Sequence, residues 1–148
     1  IVLKNIKFME GNIYSYIHNS VTDGMGKIGV LINFNSESRE IDTIGKNICM
    51  HIAASAPKSL TVDDLDKSII ENEKEIISKQ LKETGKPDNI LEKMMQGKLN
   101  KFYEEHTLMG QKFVIDPSIS IEQYLTQASK EKNTQINIQE FLRLEIGS

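Results

Sequence analysis

At 148 residues, with 39% hydrophobic and 26% charged side chains, the chain has the make-up of one ordinary globular domain, long enough to bury a real core. A net charge of -3 and a pI near 5.7 argue against a nucleic-acid binder, which carries a basic excess on one face. No apolar run approaches the ~20 residues needed to cross a bilayer, no secretory or transit segment is visible, and the lone Cys49 excludes an intrachain disulfide, in keeping with a reducing compartment.

The first residue is Ile1, not methionine, so the chain is expected to be a piece of a longer protein; Gly147-Ser148 reads either as native sequence or as an appended tail. Val2 to Phe8 is rich in β-formers, with Val2, Ile6 and Phe8 on one face, and predicts a first strand. Glu10-Gly11-Asn12 is a turn signal. Ile13 to His18 predicts a second strand with Tyr14, Tyr16 and His18 on one face. Asn19 to Lys27 reads as a polar loop containing glycine, and Ile28 to Phe34 as a third strand with Ile28, Val30 and Ile32 aligned. The short links suggest an antiparallel meander.

A helix follows from about Glu37 to Ala56. Ile41, Ile44, Ile48 and Ile52 recur at steps of three and four, a stripe suited to packing on the sheet, and Pro57 ends it. Thr61 with Asp64 predicts an N-cap close to a capping box, opening a helix to about Thr84 whose apolar stripe is Val62, Leu65, Ile69 and Ile76. Gly85-Lys86-Pro87 makes a turn into a second helix, Asp88 to about Glu104, with Leu91, Met95, Leu99 and Phe102 on one face. Two such helices with a narrow seam predict a projecting antiparallel coiled-coil hairpin over about residues 62–104. Thr107 to Gly110 reads as a turn, and Phe113-Val114-Ile115 as an apolar run closed by Asp116-Pro117. Ser120 and Gln123 resemble a capping box before a short helix carrying Ile121, Tyr124, Leu125 and Ala128. Lys130 to Asn133 is a polar break. Gln135 to Ile146 holds a final strand in which Leu142, Leu144 and Ile146 alternate with Arg143 and Glu145. The expected class is α+β: an antiparallel sheet of three to four strands packed on helices, with the hairpin as an excursion.

Few residues are arranged for chemistry. Cys49 and His51 lie two apart on a helix and point in different directions, which does not suit zinc. Gly24, Gly26 and Lys27 fail the phosphate-loop pattern, because Lys27 leads into Ile28 and a strand. Asp63, Asp64 and Asp66 suit a helix N-terminus electrostatically. His18 ends a predicted strand before a loop, where functional groups gather, but on the residues alone a partly exposed strand histidine without a function is the better reading. Phe113, Val114 and Ile115 read on sequence alone as a core strand rather than an exposed apolar contact, and Met94, Met95 and Met109 as core, although methionines also adapt to partner surfaces. No nucleophile–base pair is found for a hydrolase, and no catalytic, cofactor-binding or metal-ligating residue is assigned.

Several stretches resemble the C-terminal half of the bacterial elongation factor Ts family, in order and at compatible spacing: Tyr16-Ile17-His18 with Ile28-Gly29-Val30-Leu31; Met50 to Pro57 (MHIAASAP); Gly85-Lys86-Pro87; Glu92-Lys93-Met94, Gly97, Lys101-Phe102, Gly110-Gln111 and Phe113-Val114; and Phe141 to Gly147 (FLRLEIG). The resemblance covers nearly the whole chain. It implies the family's dimerisation-type domain and a bacterial, cytoplasmic role in translation elongation: binding elongation factor Tu and weakening its hold on GDP, with no bond chemistry. It places His18, Val114 and Ile115 at the partner interface. It also implies that the family's N-terminal ubiquitin-associated-like module, its Thr-Asp-Phe element and its further C-terminal helical module lie outside this sequence. The loop Asn19 to Lys27 is expected to be longer than the family's. On this basis the chain is expected to keep part of the partner interface yet stimulate GDP release poorly. The alternative is a stand-alone interaction or self-association module, with a homodimer as one form, that uses the helical hairpin and has no role in exchange.

Overall fold

Alternating side chains in the first third of the chain become a long β-hairpin. The computed structural model describes residues 1–36, 38 and 40–147. Strand β1 runs Asn12–Thr22 and β2 runs Met25–Asn35, antiparallel, with Tyr14 opposite Ile32, Tyr16 opposite Val30 and His18 opposite Ile28. The expected loop Asn19–Lys27 is not a loop: pairing continues through Ser20–Gly26 and Thr22–Met25, leaving Asp23-Gly24 as the turn. Asp-Gly between strands is itself a hairpin signal, and it outweighs the polar composition around it. Gly24 sits at φ +73, where glycine carries no steric penalty.

Strand β3, Asn137–Glu145, pairs antiparallel with the other side of β2, so the sheet order is β1-β2-β3. The expected strand Val2–Phe8 does not form. Its apolar side chains stand in solvent, with Val2 and Ile6 82% and Phe8 86% exposed. Alternation is a side-chain pattern, whereas a strand also needs a neighbour for its backbone hydrogen bonds, and no strand among the described residues pairs with this segment.

Helix α1, Asp42–Ser55, starts later than the pattern suggests; Glu37 lies outside the described residues, as does Ser148. Ile41, Ile44, Ile48 and Ile52 are all buried, as their spacing requires, and α1 packs on β1 and β2. It ends at Ala56 in a left-handed conformation just before Pro57. Helix α4, Ile121–Glu131, opens with a complete capping box between Ser120 and Gln123 and adds Ile121, Leu125 and Ala128 to the same core. Val30, Ile32 and Phe34 form the floor of this core, and Ile136 and Ile138 join it from the β3 side.

Helices α2, Lys67–Lys82, and α3, Asp88–His106, share a second, smaller core of Ile77, Leu81 and Leu99, with Leu91, Met94, Met95 and Tyr103 against it. Thr61 does not cap α2. Its N–H and hydroxyl both bond to Asp64 Oδ2 within a separate turn, while Asp66 caps the helix by accepting from the Ser68 N–H and hydroxyl. Those bonds hold the Asp66 carboxyl below its usual pKa. The expected α2 stripe is also out of phase: Ile76 is 41% exposed, and Ile77 is 3%. Ile69-Ile70 and Ile76-Ile77 are adjacent pairs seven apart, so both phases satisfy helical spacing, and packing against α3 selects the later one.

Candidate partner-binding site

Residues 107–120 link α3 to α4 by a tightly bonded route. Leu108 N–H donates to Ser59 C=O (2.8 Å) and Met109 N–H to Leu60 C=O (3.1 Å), while Lys58 N–H donates to His106 C=O (2.9 Å). Thr107 caps the end of α3 through its hydroxyl on Tyr103 C=O (2.8 Å). Gly110 is required by space, since a Cβ there would press on Thr107 Oγ1 and the Glu104 Cα. Phe113 N–H donates to Ile119 C=O (2.9 Å), closing a small loop whose tip is Val114-Ile115-Asp116-Pro117. The Ser118 N–H and hydroxyl both bond Asp116 Oδ1, tightening the turn and holding that carboxyl below its usual range.

Within this loop the three apolar residues part company. Phe113 is buried, stacked on Tyr124 at 4.3 Å between ring centres. Val114 and Ile115 point outward, 43% and 52% exposed. The core reading of this run holds for Phe113 but not for Val114 and Ile115, whose exposure corrects it.

The loop is tied to α1 by His51. This side chain is fully buried, with its Nε2 2.9 Å from Gln111 Oε1 and its Nδ1 accepting the Val114 N–H at 3.2 Å. That pair of contacts fixes the neutral tautomer with the proton on Nε2, which donates to Gln111. Burial lowers the His51 pKa, and the Gln111 bond offsets part of that. Gln111 in turn donates from Nε2 to Glu105 C=O (2.9 Å) and to Ser55 C=O (3.4 Å). One buried His–Gln pair thus joins the end of α1, the end of α3 and the apolar loop. Sequence reasoning weighed His51 only as a metal ligand. The available signal was a polar side chain beside Ile48 and Ile52 on the buried face of a helix, which must find hydrogen-bond partners.

His18 stands elsewhere. It lies within β1 rather than at a strand end, exposed, with Nδ1 3.1 Å from the Tyr16 hydroxyl. No hydrogen bond or ring contact among the described residues joins it to the Val114–Ile115 loop, so the structure does not merge the three into one cluster. Cys49 is fully buried and its thiol is pushed up to about 12 by burial, which makes it unreactive at neutral pH. His106 sits on the last turn of α3, with Nδ1 2.8 Å from Phe102 C=O and its ring stacked on Phe102. Among the described residues no three His, Cys, Asp or Glu side chains gather as metal ligands, and no described helix is long and apolar enough to cross a membrane.

The profile described as Elongation factor TS matches residues 1–148. The chain belongs to the elongation factor Ts family. Elongation factor Ts of Paracoccus denitrificans (strain Pd 1222) is 46% identical over 130 residues, which is 87% of this chain and 44% of the relative. That of Bartonella bacilliformis is 42% identical over 144 residues, 96% of this chain and 47% of the relative. That of Rickettsia felis is 35% identical over 145 residues, again 96% and 47%. The chain therefore spans less than half the length of these curated relatives. The elements that carried the resemblance sit in distinct structural roles: the MHIAASAP stretch supplies His51 and the end of α1, and Gly110-Gln111 with Phe113-Val114 forms the braced loop.

Proposed function

We propose that this chain is the part of an elongation factor Ts that grips elongation factor Tu in the bacterial cytoplasm and, within the whole protein, promotes release of GDP without bond chemistry. Val114 and Ile115 make the apolar contact, His18 makes a separate polar one, and the α2–α3 pair acts as a projecting coiled-coil arm on a single domain. One observation carries the reading: in a family whose role is to bind a protein, two apolar side chains stand half-exposed on a loop held by backbone bonds and a buried histidine. A loop already fixed in its binding shape loses little conformational entropy on docking. The mechanism is linkage. A partner that prefers nucleotide-free elongation factor Tu lowers GDP affinity by the same factor by which GDP lowers its own.

A second reading, self-association, draws on the sheet face turned away from the helices. Ile17, Gly29 and Leu144 lie in register there, beside Leu31 and Leu142, and an open groove of about 650 Å³ lies between Gly29 and Leu144 and the chain's own Val2, Leu3, Lys4 and Asn5. Co-elution with purified elongation factor Tu, with and without GDP, separates the two. The exchange-factor reading predicts a complex that GDP weakens; a complex indifferent to GDP, or self-association alone, contradicts it.

A further inference from the structure

We infer that His51, which does not itself reach the surface, is a positioning residue for partner recognition: its Nδ1 holds the Val114 backbone and thereby fixes where Val114 and Ile115 point. This rests on the reading that those two side chains meet the partner.

Three observations carry it. First, the Val114 N–H faces inward, away from the exposed side chains of the loop tip, and its acceptor is a side chain on a different element, 63 residues earlier. This bond ties the tip directly to α1. Second, the imidazole must be in one tautomer to do this, and Gln111 sets that tautomer. Gln111 donates both of its own N–H groups to main-chain carbonyls, Ser55 and Glu105, so its Oε1 can only accept from His51 Nε2–H, and Nδ1 is left as an acceptor facing Val114. Third, the flanks of Val114 are fixed by other means. Phe113 is stacked on Tyr124, its ring centre 6.0 Å from that of His51, and its N–H is taken by Ile119 C=O; Ser118 and Asp116 close the far side. His51 therefore acts on the segment between these fixed points, where the exposed pair begins. The chain Gln111–His51–Val114 links the end of α3 to the exposed tip through three consecutive contacts.

The test separates positioning from bulk stability. In uniformly ¹⁵N-labelled wild-type chain, NMR is expected to show the Nε2–H tautomer of His51 and a ¹⁵N–¹⁵N coupling between Val114 N and His51 Nδ1. A protonated Nδ1 overturns the inference, and this arm needs no partner protein. His51→Leu keeps the site apolar and filled but removes the acceptor; Val114 amide exchange is expected to rise about tenfold, the loss of a single buried hydrogen bond. His51→Asn places an acceptor oxygen near the position of Nδ1 while leaving more of the ring volume empty. The Asn variant is expected to be the less stable of the two and yet bind elongation factor Tu within about threefold of wild type, while the Leu variant binds about tenfold more weakly. Affinity that simply follows melting temperature across the pair, or unchanged Val114 exchange in the Leu variant, overturns the positioning role. If the wild-type chain does not bind elongation factor Tu, the proposed function fails, while the tautomer, coupling and exchange measurements still decide whether His51 holds the loop.

Discussion

Replacing Val114 and Ile115 together by alanine probes the braced loop most cleanly. In the free chain the two side chains are 43% and 52% exposed, so together they leave about as much surface in water as one whole aliphatic side chain. Covering that surface in a complex is worth about 2 kcal/mol, the figure for fully burying one Val or Ile. Its loss corresponds to a dissociation constant about 30-fold weaker. Folding should barely respond, because Val114 keeps its backbone bond to His51 and neither side chain belongs to the buried core; exposed substitutions of this kind change stability by roughly 0.5 kcal/mol or less. Isothermal titration of elongation factor Tu with wild-type and double-variant chain, beside urea unfolding of each, reads both quantities. Affinity within twofold of wild type, with an unchanged unfolding midpoint, would refute the assignment of this loop to the interface.

Other expectations bear on the scaffold. Leu99→Ala removes a buried side chain from the small core shared by α2 and α3 and should cost about 3 kcal/mol, read as accelerated amide exchange in α2 with the sheet left protected. Ser120→Ala breaks the capping box of α4 and should cost about 1 kcal/mol in urea unfolding. His51 makes stability depend on pH. Its folded-state pKa lies below its unfolded value near 6.5, so the unfolded chain takes up the proton first. The stabilisation is complete above about pH 6.5, declines as pH falls below that, and levels off once pH passes the folded-state value. Unfolding free energies between pH 5 and 7.5 should slope downward toward acid in wild type, and this part of the slope should vanish in His51→Leu; equal slopes in both would contradict the buried neutral assignment.

The legible parts of the fold are those where one periodicity had one solution. The isoleucine stripe of α1, the Ser120–Gln123 box and the Asp88 start of α3 all stand where the residues indicated. Where two solutions satisfied the same pattern, tertiary contact decided. The paired isoleucines of α2 allowed two phases, and the strand-like Val2–Phe8 lacked a neighbour. Asp23-Gly24 is a local hairpin signal inside a polar stretch whose composition by itself favours a loop. At the candidate site, composition left Phe113, Val114 and Ile115 undivided; only the stacking of Phe113 on Tyr124 separates the buried residue from the two exposed ones. The His51–Gln111–Val114 chain lay beyond reach, because its members are 60 and 63 residues apart and no local pattern predicts a side chain that bonds a distant backbone N–H.

The central proposal is that this chain grips elongation factor Tu in a way that GDP opposes, the whole protein being what drives exchange. Closing the thermodynamic cycle tests it most directly: the chain's affinity for elongation factor Tu is measured with and without saturating GDP, and the GDP affinity with and without saturating chain. The account predicts that GDP weakens the chain's binding and that the chain weakens GDP binding by an equal factor. Binding of the same strength in both nucleotide states would contradict it.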